Sequence, residues 1–173
     1  MPRGQPACTS SLVIFGGTGD LSRRKLIPAL LRLKSGGFLP ADLHVIISGR
    51  GAMTGEELIN RFRAGFDSKQ NESALLEKGL QELAPKIRYI QVDPQKPHAQ
   101  KELMSALQKI EGEGAAPARL FYLALPPEQM PSFLPLLSEP LGKGNDSHCP
   151  SRILVEKPFG HDLASARALN GQL

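Results

Sequence analysis

IFGGTGDLSRRKL, residues 14–26, joins an apolar run to a helical pattern through a turn made mostly of glycine. The apolar run starts at Leu12 and has the composition of a strand that is buried on both faces. The helical pattern covers residues 20–35 and should kink at Pro28, because proline has no backbone N–H to donate. A strand, a tight turn and a helix in this order predict the first unit of a parallel α/β sheet.

The same alternation continues along the chain. Four more apolar runs predict strands buried on both faces: LHVIISG from Leu43, IRYIQV from Ile87, RLFYLAL from Arg119 and RILVEK from Arg152. Helical patterns lie between and after them, at residues 55–62, 73–83, 98–110, 128–139 and 162–170. Such strands pair in parallel through right-handed crossovers, so the sequence predicts an α/β fold with a Rossmann-like doubly wound sheet.

Two local signals refine the helices. Thr54 and Glu57 have the spacing of a capping box, in which each side chain accepts a hydrogen bond from the backbone of the other residue. Pro131 and Pro135 should keep the helix at residues 128–139 short or irregular.

Length and composition predict one globular domain over residues 11–173, preceded by a flexible polar tail at residues 1–10. The formal net charge is +4, but the basic residues are scattered except for Arg23, Arg24 and Lys25. A small anionic ligand explains that cluster more simply than nucleic acid does, so we expect no nucleic-acid partner.

Cys8 and Cys149 are far apart and lack the spacing of a metal site, so neither a metal nor a disulfide framework is expected. The apolar runs are too short for a signal peptide core or a membrane span. We therefore expect a cytoplasmic protein with no membrane partner.

The glycine turn has the position of a phosphate-binding loop. Its spacing is Gly16-x-x-Gly19-x-x-Ser22, with Gly17 in addition, which meets the usual G-x-G-x-x-G pattern only loosely. Free amides at a helix N-terminus bind phosphate well, and glycine lets the backbone approach the ligand closely. The alternative interpretation is an ordinary glycine turn before a helix.

Three further residues lie near the carboxyl ends of strands, at the sheet edge where ligands bind in open parallel folds. Arg50 stands where an NAD-specific fold would carry an acidic residue, so it favours NADP, although a solvated arginine is the alternative. Tyr122 is a candidate for the nicotinamide side. Lys157, with Glu156 to orient it and Pro158 after it, is a candidate for contacts with the substrate.

GGTGDLSRRKL, SGR, LFYLALPP and VEKPFGHDLASARALN together resemble, in order and spacing, the coenzyme-domain motifs of the glucose-6-phosphate dehydrogenase family. The resemblance extends from Ser11 to the end of the chain. It implies oxidation of glucose 6-phosphate to 6-phosphogluconolactone with NADP, in the pentose phosphate pathway.

The resemblance also implies roles for individual residues. Those carried over to the coenzyme are Gly16, Gly17, Thr18, Gly19, Asp20, Leu21, Ser22 and Arg23 for the phosphates, Arg50 for the 2'-phosphate, and Tyr122 and Lys157. Those carried over to the sugar phosphate are Lys157, Pro158, which is the family's conformationally special proline, and Lys25, which helps to order the surroundings of Lys157.

The family continues beyond the last helix into R-I-D-H-Y-L-G-K-E, and its catalytic base lies farther on. None of His44, His98, His148 and His161 matches those positions, so no catalytic residue is assigned within this chain. We expect the base downstream of Leu173. The isolated chain should then bind NADP as a monomer with little turnover, although the full-length family enzyme is expected to be a homo-oligomer.

Three alternatives stay open at this point. One is a free-standing, non-catalytic NADP-binding module, which would share every motif. Another is an oxidoreductase of the glucose-fructose oxidoreductase type, which also has a Glu-Lys-Pro strand end. The third is a nucleic-acid binder, which rests only on a pI of about 9.2.

Overall fold

A computed structural model describes residues 10–66, 70–112, 117–138, 150–157, 160 and 162–172. Five parallel strands form one sheet in the order β3-β2-β1-β4-β5. Their bounds are Ser10–Phe15 (β1), His44–Gly49 (β2), Ile87–Gln91 (β3), Ala118–Leu123 (β4) and Arg152–Val155 (β5). The predicted α/β class and Rossmann-like parallel sheet are confirmed.

The helices lie between these strands in the predicted order. They are Ile27–Ser35 (α1), Gly55–Arg63 (α2), Gln70–Leu83 (α3), Ala99–Glu111 (α4), Met130–Phe133 (α5) and Leu163–Asn170 (α6). A π-helical turn at Ser22–Leu26 leads into α1, and short 3₁₀ turns occupy Ala84–Lys86 and Leu134–Leu137. Within the described ranges, no helix is long and apolar enough to cross a membrane.

The predicted capping box is confirmed, as is the shortening of the helix that contains Pro131 and Pro135. Pro28 lies in the first turn of α1, and the irregular π-helical turn comes directly before α1. Pro131 and Pro135 confine α5 and the 3₁₀ turn after it to four residues each. The amide of Glu57 donates to Thr54 Oγ1 at 3.2 Å, and the amide of Thr54 donates to Glu57 Oε2 at 2.7 Å.

The core has two layers, one on each face of the sheet. Alternate residues of β1 point to opposite faces, so Val13 and Phe15 pack with α4 and α5 while Leu12 and Ile14 pack with α1, α2 and α3. On the first face the ring of Phe15 lies 6.3 Å from that of Phe121 and 5.3 Å from that of Phe133. The central strand is therefore covered on both faces, as its sequence predicts.

The prediction of burial on both faces is wrong for β3 and β5. Arg88 and Gln91 of β3 are exposed, and so are Arg152 and Leu154 of β5. These two strands lie at the edges of the sheet, where each pairs with only one neighbouring strand among the described residues. An apolar run predicts the strand itself but not its distance from the centre of the sheet.

The order of strands reverses at β1, because β2 follows on one side of it and β4 on the other. In open parallel sheets the crossovers on either side of such a point diverge and leave a crevice at the carboxyl ends of the strands. The glycine turn after β1 lies at this crevice, and residues 124–126 follow β4 there.

Candidate functional site

The glycine turn rests against the segment that follows β4. Gly16 has φ = +73°, and a Cβ built on it would lie 2.3 Å from the carbonyl oxygen of Ala124. Gly17 is equally confined, since its Cβ would lie 2.7 Å from Cγ2 of Ile47. Both glycines are required by local geometry, one for its backbone conformation and its close approach, the other for packing alone.

Ser22 takes the position of the third glycine of the usual pattern, and it is fully buried. Its hydroxyl donates to the carbonyl of Gly16 at 3.1 Å, and the amide of Gly19 donates to the same carbonyl at 2.9 Å. The small side chain therefore allows close packing and also closes the turn with a hydrogen bond. The sequence pattern predicts the first role but not the second.

Asp20 neutralises part of the basic cluster at the start of the helix. Its Oδ1 accepts from Arg23 Nη2 at 2.8 Å and lies 3.1 Å from Arg24 Nε. The hydrogen bond from Arg23 is the main reason why the pKa of the Asp20 carboxyl is lowered, and the charge of Arg24 acts in the same direction. Arg23 also donates to the carbonyl of Ala64 at 3.1 Å, so its guanidinium is engaged within the protein.

Two clefts meet over the loop. The first has a volume of about 220 Å³ and lies towards β2; its lining includes Gly16, Thr18, Gly49 and Arg50. The second has a volume of about 360 Å³ and lies towards β5; its lining includes Asp20, Leu21, Met130, Glu156 and Lys157. Gly19 and residues 124–126 line both clefts. Together they form a site that runs across the carboxyl ends of the strands.

Arg50 marks the β2 end of this site. Its side chain is exposed, while its backbone carbonyl accepts from Gln91 Nε2 at 2.8 Å. The backbone beside it is held by a second bond, from the amide of Val92 to the carbonyl of Gly49 at 2.9 Å. A guanidinium on a fixed backbone is thus available to a ligand in the first cleft.

Glu156 marks the β5 end, and Tyr122, which lies outside the lining of both clefts, contacts it. The hydroxyl of Tyr122 donates to Oε1 of Glu156, a contact between the ends of two neighbouring strands. Burial is the largest cause of the raised pKa of the Tyr122 hydroxyl, and the hydrogen bond to the Glu156 carboxylate raises it further. The sequence suggested that Glu156 orients Lys157, but the structure pairs this carboxylate with the tyrosine.

The remaining predicted residues divide into three groups. Lys157 is exposed and lines the second cleft next to Glu156. Lys25 is exposed on the π-helical turn and is outside the lining of both clefts. Pro158 and His161 lie outside the described residues.

The shape of the site fits a dinucleotide. A glycine loop in front of a helix N-terminus lies between two clefts, which matches a central pyrophosphate with a nucleoside on either side. A Cβ on Gly16 would collide with the carbonyl oxygen of Ala124, so only glycine fits at this point of the loop. The fold and the site together define a dinucleotide-binding domain of the Rossmann type.

Comparison with known proteins identifies the family. The family model described as "Glucose-6-phosphate dehydrogenase, NAD binding domain" matches residues 13–173, so the chain belongs to this family. The glucose-6-phosphate 1-dehydrogenase of Schizosaccharomyces pombe is 35% identical over 163 residues, which are 94% of this chain and 32% of that protein. The cytoplasmic glucose-6-phosphate 1-dehydrogenase 5 of Arabidopsis thaliana is 34% identical over 169 residues, with the same shares covered.

Solved structures of glucose-6-phosphate dehydrogenases have the same fold as this chain over their matched part. A glucose-6-phosphate dehydrogenase in complex with its substrate glucose 6-phosphate superposes with a TM-score of 0.76 at 29% identity, covering 99% of this chain and 35% of that one. The enzyme from Mycobacterium avium gives a TM-score of 0.71 at 30% identity, covering 96% and 33%. The chain thus spans about a third of the length of the relatives that it matches.

Sequence reasoning missed one residue at the site. Arg61 of α2 donates through Nε to the carbonyl of Thr18 at 2.9 Å, which links the glycine loop to a helix 43 positions farther along the chain. No sequence signal separates Arg61 from Arg63, since both are arginines in the last turn of an amphipathic helix.

We predict that Gly16→Ala destabilises the protein more than Gly37→Ala does. The two glycines have nearly the same positive φ, 73° and 74°, so both substitutions carry the backbone strain of about 1–3 kcal/mol. Only the Cβ at position 16 also meets a backbone carbonyl, whereas nothing lies within 4 Å of that at position 37. Urea denaturation measures both losses, and equal losses would show that the loop accommodates a Cβ.

We predict that the protein loses stability at alkaline pH because of Tyr122. Burial and Glu156 raise its pKa above the ordinary 10.0, so the folded state holds the proton when the unfolded state has released it. Stability should therefore fall as the pH rises above about 10. Tyr122→Phe should flatten this fall in a series of urea titrations, and Glu156→Gln should reduce it by removing the carboxylate charge. An unchanged slope in both variants would contradict the prediction.

Proposed function

We propose that this chain is the coenzyme-binding part of an NADP-dependent glucose-6-phosphate dehydrogenase. The reaction transfers a hydride from C1 of glucose 6-phosphate to the nicotinamide of NADP⁺, while the C1 hydroxyl loses its proton, and the product is 6-phosphogluconolactone. This places the protein at the entry of the pentose phosphate pathway and in the cytoplasm, as the cytoplasmic relatives support. The observation that carries the proposal is the pair of clefts that meet over the glycine loop.

The β2 end of the site suits the adenosine part of NADP. The loop from Gly16 to Arg23, at the helix N-terminus, wraps the coenzyme phosphates, and Arg50 binds the 2'-phosphate. Arginine suits that role because its planar fork donates two parallel hydrogen bonds to phosphate oxygens. An NAD-specific fold would carry an acidic residue at this position to bind the free 2'-hydroxyl, whereas this chain has Arg50.

The β5 end suits the nicotinamide and the sugar. Tyr122 and Lys157 contact the coenzyme, and Lys157, with Pro158 and with help from Lys25, binds the sugar phosphate. An exposed ammonium beside the second cleft is available to a phosphate or a hydroxyl. Glu156, held by Tyr122, fixes the backbone from which Lys157 projects.

The proton of the C1 hydroxyl requires a base, and no histidine lines either cleft within the described part of the chain. A positioned general base contributes about 10²–10⁴ in rate. We propose that the base and most of the sugar site belong to the part of the family protein that this chain does not span, so that residues 11–173 act as its coenzyme domain. The complete enzyme is then a homo-oligomer, and these 173 residues alone form a monomer.

Arg50→Ala tests the choice of coenzyme. A charge-assisted hydrogen bond contributes about 1.5–3 kcal/mol, so the variant should bind NADP⁺ roughly tenfold to a hundredfold more weakly and NAD⁺ almost unchanged. Isothermal titration of both coenzymes measures the two affinities. If both affinities fall by the same factor, Arg50 has no role towards the 2'-phosphate.

Lys157→Ala tests the sugar side in the full-length protein. Turnover and apparent affinity for glucose 6-phosphate should fall well beyond the change in NADP⁺ affinity, because the ammonium acts between the coenzyme and the sugar. Coenzyme reduction followed by absorbance gives both parameters. An unaltered rate in the variant would show that Lys157 is only a solvated residue at a strand end. If the unaltered full-length protein did not reduce NADP⁺ with this sugar phosphate, the alternative of a non-catalytic NADP-binding module would be favoured.

A further inference from the structure

Arg61 and Arg63 lie two residues apart on α2 and have different surroundings. Arg63 donates from Nη2 to Oε1 of Glu77 at 2.8 Å, so its charge is paired with α3. Arg61 is exposed and donates from Nε to the carbonyl of Thr18 at 2.9 Å. Arg61 forms no ion pair with any described residue. The helix thus holds one neutralised guanidinium and one whose charge is available beside the glycine loop.

The corner of the site at which Arg61 is fixed also contains the end of β2. Oγ1 of Thr18 lies 3.0 Å, and the hydroxyl of Tyr89 2.8 Å, from the point where a Cβ on Gly49 would stand. The hydroxyl of Tyr89 donates to the carbonyl of Gly51, the residue after Arg50. The charge of Arg61 reaches this hydroxyl as well, because it opposes the rise that burial causes in the pKa of Tyr89.

The backbone between Arg50 and the start of α2 is uncrowded at two glycines. A Cβ on Gly51 would meet nothing within 4 Å, and the same holds for Gly55 at the start of α2. Arg50 lines the first cleft together with Thr18, whose carbonyl is the atom that Arg61 binds. Both exposed arginines are therefore connected to Thr18, Arg50 through the lining of the first cleft and Arg61 through its hydrogen bond.

We propose that Arg61 is a second cationic ligand of the coenzyme's 2'-phosphate, in addition to Arg50. The inference rests on the proposed function, since it requires that the coenzyme is NADP. A phosphate monoester carries a charge of about −1.5 to −2 at pH 7, which one arginine balances only in part. The guanidinium has five N–H donors in a fixed fork, and the bond to Thr18 occupies only the one on Nε.

The bond to Thr18 gives Arg61 two separable effects. As a hydrogen-bond donor, Arg61 holds the glycine loop in place, which affects the binding of NAD and of NADP equally. As a charge beside the 2'-phosphate it serves NADP alone. Arg61→Gln separates the two, because the glutamine amide keeps a donor for the carbonyl of Thr18 and removes the charge.

The test measures dissociation constants of the full-length protein for NADP⁺ and NAD⁺, and for 2',5'-ADP and 5'-AMP as probes with and without the 2'-phosphate. Arg61→Gln and Arg61→Ala should each weaken NADP⁺ and 2',5'-ADP by about tenfold, the size of one charge-assisted hydrogen bond on an exposed group. Arg61→Gln should leave NAD⁺ and 5'-AMP within about twofold. The double variant Arg50→Ala/Arg61→Gln should lose the preference for NADP⁺ over NAD⁺ completely.

Arg63→Ala is the matched control, because it removes the same charge from the same helix at a position paired with Glu77. It should leave the ratio of the two coenzyme affinities unchanged, and thermal unfolding of each variant reports on folding separately. An NADP⁺ preference that survives Arg61→Gln but is lost in Arg50→Ala would overturn the role of Arg61 and keep the proposed function. Equal affinity of the unaltered protein for both coenzymes would overturn the NADP proposal, and this inference with it.

Discussion

The contact between Gly16 and the carbonyl of Ala124 constrains the rest of the site. It holds the turn after β1 against the segment after β4, at the place where the strand order reverses, and a hydrogen bond from the amide of Ala124 to the carbonyl of Phe15 at 3.0 Å fixes the same junction. Both clefts are lined by Gly19 and by residues 124–126, the two segments that this contact holds together. If the loop stood farther from β4, the clefts would no longer form one continuous site for a dinucleotide.

The arginines around the loop differ in whether they have a carboxylate partner. Arg23 and Arg24 share the single carboxylate of Asp20, and Arg63 is paired with Glu77, so two of these three positive charges are balanced. Arg50 and Arg61 form no ion pair with any described residue. A net charge of +4 therefore says little by itself, since the function depends on which of the basic side chains have partners.

Local features of the fold could be predicted from the sequence, and contacts across long separations could not. The capping box of Thr54 and Glu57 depends on residues three positions apart, and the strands depend on short apolar runs, so both follow from the chain itself. The bond from Arg61 to Thr18 spans 43 positions, that from Tyr122 to Glu156 spans 34, and the buried pair of Arg119 with Glu111 depends on how α4 packs on β4. The exposure of β5 depends on its place at the sheet edge. Residue types alone specify none of these.

The chain contains two tyrosines and no tryptophan, and each tyrosine hydrogen-bonds to a residue beside the site. Tyr89 donates to Gly51, next to Arg50, and Tyr122 donates to Glu156, which lines the second cleft. Without tryptophan, the intrinsic emission beyond the phenylalanine band comes from these two phenols. A ligand that enters the clefts next to Arg50 or Glu156 should therefore change this emission without an added label.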